Sequence, residues 1–402
     1  MNQTFKADIA IFGGGIAGLW ILNRLCQKGY NCVLIENQSL GGMQTLACQG
    51  MIHGGQKFAL PGSAQSKQQS LAGSIAKMPA IWHDCLKGTG EIDLSKARVL
   101  SENQFMWSPG GITGSATAFL ASKLMNARVT LVKNSDQWPD VFYENRQIKG
   151  RLYRMDEEVV SVKSVVNALN ARFTDTIYRA DINEIVVKNN NVEYIDLVDG
   201  QNRIKLSASG FVFTAGVGNE KVAEAIGLTG RVTQRRPLKQ VMVRNVPYAL
   251  YAHCISMNPK PRVTITAHPE ENNTYVWYLG GLVAEQGVEK TDEQAIDFAR
   301  QEMEKLFPWI NWSALEWAVL YVDRAEPYAG GSFLPDSPAI HTQGNSAIAW
   351  PAKMTFAPLL ADKIIEWISS QNIVPKYVKT ELRLSKPETG RYPWESVKDW
   401  KK

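Results

Sequence analysis

Three glycines and one acid carry the clearest chemistry in this chain. Gly13, Gly15 and Gly18 fit G-x-G-x-x-G. An apolar run at 9–12 precedes them, a helical segment at about 16–28 follows, and a second apolar run at 32–35 ends on Glu36. Strand, glycine turn, helix, strand and acid stand in the order that a dinucleotide site needs. The first glycine permits the turn, the second lets backbone approach a pyrophosphate, and the third lets helix pack on strand. Ile16 and Ala17 open the helix, so their N–H groups and the positive end of the helix dipole face the phosphates. Glu36 lies 18 residues after Gly18, near the spacing of about 20 for a ribose-binding acid. An acid there fits a free 2′-hydroxyl, hence NAD or FAD over NADP, and the motif does not separate those two. The nearly uncharged stretch 9–22 lacks the basic start and small-residue cleavage site of a secretory signal.

Further residues have types suited to chemistry. His53 is bracketed by Gly50, Gly54 and Gly55, a setting for backbone approaching a flat ligand or for an ordinary glycine turn. Its imidazole suits a base, a hydrogen bond to a bound ring, or a structural role in the loop. His253, His268 and His341 have no spacing partner and read as ordinary.

The whole chain bounds what these residues belong to. Its 402 residues exceed one simple core, which makes two domains the natural expectation. The net charge of +5, without a long basic run, suits an anionic substrate or peripheral contact with an anionic membrane face and requires no nucleic acid. No apolar run reaches the roughly 18 residues of a membrane span. The five cysteines are scattered without C-x-x-C, so no metal site and no dithiol centre is expected, and reduced cytoplasmic thiols are the simplest reading.

The positioning elements follow from pattern. Helices are expected within 64–87, at 115–126, from 156 to about 173, at 219–226 and at 291–307. Strands are expected at 98–107, 128–132, 151–155, 177–187, 192–199, 209–216, 240–244, 262–267, 275–279, 319–327 and 346–350. Asn189 and Asn190 mark a hairpin turn. Residues 351–355 lead into a helix to about 368, and the polar segment 386–402, with Tyr392, Trp394 and Trp400, is expected to pack on the body.

Ser39-Leu40-Gly41-Gly42 followed by Ile52-His53-Gly54-Gly55 resembles the FAD-dependent oxidoreductases of the D-amino-acid oxidase superfamily. The likeness is nearest to the glycerol-3-phosphate dehydrogenase branch, where an I-H-G-G element runs beside the isoalloxazine ring. It spans most of residues 5–370, and only the glycine-loop region is highly specific. The resemblance implies non-covalent FAD held by Gly13, Gly15, Ile16, Ala17, Gly18, Glu36, Asn37, Gly41, Gly42, Ile52, His53, Gly54, Gly55, Ala215, Gly216, Lys353, Met354 and Thr355. Lys353 would place positive charge at the pyrimidine edge of the flavin, or it is an exposed lysine at a helix start. The family's two glycines before that lysine are replaced here by Pro351 and Ala352. His53 and Arg324 are the implied catalytic pair: 319–327 resembles a family strand that brings an arginine to the substrate, and the planar fork of Arg324 suits a carboxylate or phosphate, with a structural salt bridge as the alternative. The run 235–239 resembles the family's crossover into the substrate domain.

The implied fold is α/β: a Rossmann-like FAD-binding domain with a discontinuous α+β substrate domain built on a mixed or antiparallel sheet. The FAD domain is expected from 1–80, 150–230 and 320–375, the substrate domain from 81–149 and 231–319, and a C-terminal tail from 376–402. The implied activity is oxidation of a small anionic hydroxy or amino compound by hydride transfer to flavin. Electrons then leave to oxygen, a quinone or a carrier. The alternatives are a structural or non-redox flavin, or an NAD-dependent dehydrogenase; one G-x-G-x-x-G leaves no evident second nucleotide site. The first expected outcome is that purified protein is yellow and releases FAD on denaturation; a colourless protein that binds NAD instead would overturn the assignment.

Overall fold

A computed structural model describes residues 3–54, 73–109, 129–143, 150–255, 260–330, 337–379 and 381–402. The helix expected at 115–126, the first part of the helical stretch at 64–87, and Gly55 lie outside them. In chain order the elements are β1 (Gln3–Phe12), α1 (Ile16–Gln27), β2 (Cys32–Glu36), α2 (Met78–Leu86), β3 (Val99–Ser101), β4 (Gln104–Ser108), β5 (Val129–Leu131), β6 (Arg151–Met155) and β7 (Val159–Val160). Then come α3 (Val162–Arg172), β8 (Ile177–Arg179), β9 (Asp181–Lys188), β10 (Asn191–Asp199), β11 (Asn202–Phe213), α4 (Asn219–Ala225), β12 (Thr233–Val246), β13 (Ala252–Cys254), β14 (Val263–Pro269) and β15 (Tyr275–Gly280). The rest is α5 (Leu282–Gln286), α6 (Asp292–Leu306), β16 (Glu316–Pro327), β17 (Ala339–Gln343), β18 (Ser346–Trp350) and α7 (Ala357–Ser370).

Two sheets organise these elements. The first has the order β17-β18-β11-β1-β2-β8, and all its neighbours run parallel except β17 at the edge. Ile9, Ala10 and Ile11 are fully buried, as parallel strands covered on both faces require. On one face α1 packs against α3 and α7 around Trp20, Leu22, Leu169 and Ile364. On the other, Phe12 stacks on Phe213 at 5.1 Å. The β9–β10 hairpin, turned by Asn189 and Asn190 at φ 50° and 62°, pairs with the first half of β11. Asp8, fully buried, accepts the backbone N–H groups of Asn31, Lys376 and Tyr377 at 2.8, 2.9 and 3.1 Å, fastening the chain after α7 to β1.

The second sheet runs β16-β12-β15-β14-β13-β4-β6-β5 and is antiparallel except where β13 lies beside β4. Helix α6 covers it with Ala295, Ile296, Ala299 and Met303, and starts with the capping box of Thr291 and Gln294. Among the described residues no helix is long and apolar enough to cross a membrane. The architecture is the α/β fold that the resemblance implied.

Three local expectations are corrected. The helix predicted from 156 begins at Val162, because Val159 and Val160 are extended and pair with β3, while Val160 N also donates to Gly50 O at 2.9 Å. The run 177–187 is two strands, one paired with β2 and the other with β10. The 235–239 crossover is part of β12, paired residue by residue with β16. Pro237 is tolerated there because β12 bonds β15 only from Val241 onward, leaving its other side free of a ladder.

The last residues pack on the body. Gly390 N donates to Leu40 O and Leu40 N to Glu388 O, both at 2.9 Å. Tyr392 and Trp394 stack at 4.4 Å, and the buried ring of His268 lies 4.1 Å from that of Trp394. Burial pushes the His268 imidazole down to about 3. Above the ordinary histidine range both folded and unfolded chains hold it neutral, so it has no effect there. Below it, the unfolded chain takes a proton that the folded chain refuses until about pH 3. Stability therefore falls with acidification, by up to about 1.4 kcal/mol per pH unit from this group. His268→Phe is expected to shrink the loss in urea-unfolding stability between pH 7 and 5 by about 2 kcal/mol, measured against wild type at both pH values.

Candidate active site

The site begins where β1 ends. Gly13 N donates to Ile35 O at 2.8 Å and Thr214 N to Phe12 O at 2.7 Å, so the turn is gripped by the ends of β2 and β11. A Cβ on Gly13 would stand 2.5 Å from Thr214 O, and one on Gly18 would stand 2.0 Å from Gly13 O. The fold itself excludes side chains at both. Gly15 differs: a Cβ there would meet only Thr45 Oγ1, at 3.0 Å. Unlike the other two glycines, Gly15 faces a side-chain hydroxyl rather than backbone, which fits a ligand pressed to its backbone. Ile16 N donates to Thr45 Oγ1 at 3.1 Å, and Ile16 and Ala17 bury their side chains, so both present backbone at the helix start.

Glu36 ends β2 beside this turn. Its Oε2 accepts Gly14 N at 2.6 Å and its Oε1 accepts Gln38 N at 2.9 Å, while Asn37 is exposed. Gly41 N donates to Gly14 O at 2.9 Å and Gly42 N to Ser39 O at 3.0 Å, which lays that loop against the glycine turn. From the β11 side, Ala215 N donates to Asn219 Oδ1 at 2.9 Å, and Gly216 takes φ 57°.

The segment from Gln44 to Gly54 runs between the two sheets. Gln49 Nε2 donates to Thr264 O and Tyr278 O at 3.2 and 3.0 Å. The Tyr278 hydroxyl, pushed well above its ordinary range by burial, is shared between Ala47 O at 2.9 Å and Gln240 Oε1. Ile52 is fully buried, its N–H on Glu158 O at 3.0 Å, and Gly54 N donates to Glu157 Oε1 at 3.0 Å.

The residues after β18 close on the same segment. Met354 packs its sulfur 3.5 Å from Cys48, whose thiol burial pushes up to about 11 and so keeps protonated. Thr355 Oγ1 donates to Met51 O at 3.4 Å. Phe356 meets the His53 ring edge-on at 5.9 Å, and Lys353 Nζ lies 5.4 Å from the centre of the Phe356 ring. Ala352 holds the left-handed backbone, φ 61°.

Arg324 sits in β16 opposite Arg236, and its Nε donates to Arg236 O at 3.1 Å. Its Nη1 is 3.9 Å from Glu326, a buried carboxylate bound at 3.1 Å by Arg236. Arg324 Nη2 is buried with no hydrogen-bond partner among the described residues. Desolvation lowers the guanidinium from its usual range. The neighbouring Ala325 is clamped by Gln44, with Ala325 N on Oε1 at 3.1 Å and Nε2 on Ala325 O at 3.4 Å. Gln44 Oε1 also lies 3.6 Å from a Cβ built on Gly216, so β16 meets the nucleotide turn here.

The sequence-expected residues thus form two groups. Gly13, Gly15, Ile16, Ala17, Gly18, Glu36, Asn37, Gly41, Gly42, Ala215 and Gly216 gather at the ends of β1, β2 and β11; Arg324 stands beside Arg236 and Glu326, and Gln44 bonds its neighbour Ala325. Ile52, His53, Gly54, Lys353, Met354 and Thr355 meet at the far end of the 44–54 segment. Sequence reasoning missed Gln44, Thr45, Gln49 and Glu157, whose partners are remote in the chain. The Gly15 cradle, the helix start and Glu36 fit the FAD of the resemblance.

Residues 8–104 match the family model DAO, described as FAD dependent oxidoreductase. The chain is 39% identical over 397 residues to the probable FAD-dependent oxidoreductase PA4991 of Pseudomonas aeruginosa, covering 98% of this chain and 99% of that one. The crystal structure of PA4991 is similar with a TM-score of 0.83 and 35% identity, over 98% of this chain and 99% of that chain. Glycine oxidase from Geobacillus kaustophilus shares the fold at a TM-score of 0.60 and 16% identity, covering 95% and 98% of the two chains. L-alpha-glycerophosphate oxidase from Mycoplasma pneumoniae, with FAD bound, shares it at 0.65 and 11%, covering 97% and 100%.

Gly15→Val and Gly18→Ala separate ligand from fold. Gly15→Val is expected to keep the far-ultraviolet circular dichroism of wild type yet lose FAD, because its branches enter the cradle. Gly18→Ala is expected to lower folding stability by about 2 kcal/mol or more, since α1 must move off the Gly13 carbonyl. FAD retained by Gly15→Val at wild-type affinity would contradict the cradle.

Proposed function

Since this chain belongs to the DAO family of FAD-dependent oxidoreductases, we propose that it oxidises a small anionic hydroxy or amino compound anchored by Arg324 and reacting beside His53. Its cofactor is FAD, which supplies the hydride acceptor when bound.

The observation that carries the substrate reading is the guanidinium of Arg324. One of its nitrogens is buried and unmatched among the described residues. A buried donor without an acceptor costs about 1–3 kcal/mol, and a carboxylate or phosphate oxygen removes that cost with a charge-assisted bond. Arg236 is already committed to Glu326, so Arg324 is the cation with capacity to spare.

His53 is the group offered for the proton. It stands at the edge of Phe356, in the stretch that the resemblance sets against the flavin ring. Neutral imidazole there takes the hydroxyl or amine proton as the substrate carbon is oxidised. Lys353, 5.4 Å from the centre of the Phe356 ring, would add positive charge near the bound flavin.

The I-H-G of Ile52-His53-Gly54 supports the glycerol-3-phosphate dehydrogenase branch, hence a hydroxy compound. Relatives of this fold are named both for glycine and for glycerophosphate, so the amino compound stays in the reading. Oxygen, a quinone or a carrier protein then removes the electrons.

The test is anaerobic reduction of the bound flavin by a panel of 2-hydroxy acids, amino acids and polyol phosphates. With the best reductant, Arg324→Lys is expected to retain FAD and to raise the substrate concentration for half-maximal reduction by about 10–100-fold, the loss of one bidentate charge-assisted contact. An unchanged concentration dependence would eliminate Arg324 as the anchor. If no member of the panel reduces wild-type flavin, a non-redox flavin becomes the better reading.

A further inference from the structure

A buried polar chain crosses the second sheet and ends on the backbone of the His53 segment. Gln104, 1% exposed on β4, donates from Nε2 to Ile52 O at 2.8 Å and to Glu158 O at 3.3 Å. Its Oε1 lies 3.3 Å from His253 Nε2 on β13. His253 Nδ1 lies 2.9 Å from Thr264 Oγ1 on β14. The carbonyl of Thr264 in turn accepts Gln49 Nε2. Both ends of the 49–52 stretch are therefore held from one row of side chains.

The atoms fix the protons. Gln104 Nε2 faces two carbonyl oxygens, so the amide cannot be turned round without placing oxygen against oxygen. Gln104 Oε1 must then accept, and His253 must carry its proton on Nε2. Nδ1 meets the Thr264 hydroxyl, which can donate or accept.

We infer that Gln104 and His253 are positioning residues for the reaction: through the Ile52 carbonyl they set where His53 stands relative to the flavin. The inference rests on the reading of His53 given above. Neither residue is offered as touching substrate. Ile52 lies one peptide from His53, and its N–H is bound by Glu158 O while its C=O is bound by Gln104. Releasing the carbonyl frees the peptide plane that carries the imidazole. His53 meets Phe356 edge-on, so a turn of that plane changes what the ring can reach.

The test compares His253→Gln, which returns an N–H near the Nε2 position, with His253→Asn, whose shorter amide does not reach Gln104, and with His253→Leu and Gln104→Leu. All are made as FAD-loaded full-length protein beside His53→Asn. The first readout needs no substrate: the visible absorption bands of the oxidised flavin and the FAD dissociation constant. The second is the limiting rate of flavin reduction by the best reductant. The expected result is that His253→Asn and the two leucine variants shift the bands as His53→Asn does and slow the limiting rate by about tenfold, with half-saturation unchanged. His253→Gln is expected to restore bands and rate to within about threefold of wild type.

Equal behaviour of His253→Gln and His253→Asn overturns the inference, and this pair keeps a polar group at the site should the leucine variants fail to fold. Bands and rates unchanged in every relay variant, with only thermal stability lowered, also overturn it, if His53→Asn does shift the bands. If His53→Asn shifts nothing, the reading of His53 falls and the relay with it. An anchor failure at Arg324 is distinguishable, because it alters half-saturation and leaves the substrate-free spectrum alone.

Discussion

The nucleotide end of this molecule depends on the approach of α1 to its own preceding strand. The helix comes so near at Gly18 that an added Cβ would stand 2.0 Å from the Gly13 carbonyl. Thr214 closes the same point from β11, its hydroxyl donating to Phe12 O and Gly13 O at 3.1 Å each. That fixes the first turn of α1, and neighbouring pieces take their places from it. Gly41 bonds Gly14, Leu40 bonds the chain at Glu388 and Gly390, and the last residues then lie over the sheet junction. A dinucleotide needs open backbone at one glycine only; the other two serve the packing that holds that glycine still.

Between the sheets a different constraint rules. The 44–54 segment is irregular, and buried irregular backbone must find hydrogen-bond partners outside any ladder. Tyr278 supplies one at Ala47 O, Val160 at Gly50 O, Glu158 and Gln104 at Ile52, and Glu157 at Gly54, while the segment's own Gln44 and Gln49 tie it to the backbone of β16, β14 and β15. An amide carries donor and acceptor on one rigid plane, so each glutamine reaches a peptide without introducing charge. The segment that bears His53 is thereby tied to the strands around it.

The local signals were legible. The glycine spacing, the asparagine hairpin at Asn189 and Asn190 and the helix start at Thr291 each depend on residues within a few positions of one another. What escaped depends on distance. Val159 and Val160 follow acids that suit a helix start, yet two remote neighbours, β3 and Gly50, make them extended. The run 235–239 resembles a crossover because sequence does not reveal that β12 continues through Pro237 where it lacks a second neighbour. His253 and Gln104 lie 149 positions apart and show no spacing at all. The cofactor was readable because its motif is local; the residues that bond the 49–52 backbone were not, because their link to it is tertiary.

The loop at Pro351 and Ala352 shows how far a motif can drift while its backbone persists. Where the resembled family has glycine, Ala352 keeps the glycine-type conformation at φ 61°. An alanine there costs about 1 kcal/mol relative to glycine, so the surroundings must over-determine the path. They do: β18 is buried on one side of it, Thr355 bonds Met51, Met354 lies against Cys48, and Trp82 Nε1 donates to Thr355 O at 2.9 Å. A methyl on Ala352 and a ring on Pro351 occupy volume that glycine would leave to a ligand. Differences in substrate from glycine-bearing relatives should therefore be sought in that added volume, while the backbone groups that start α7 keep their place.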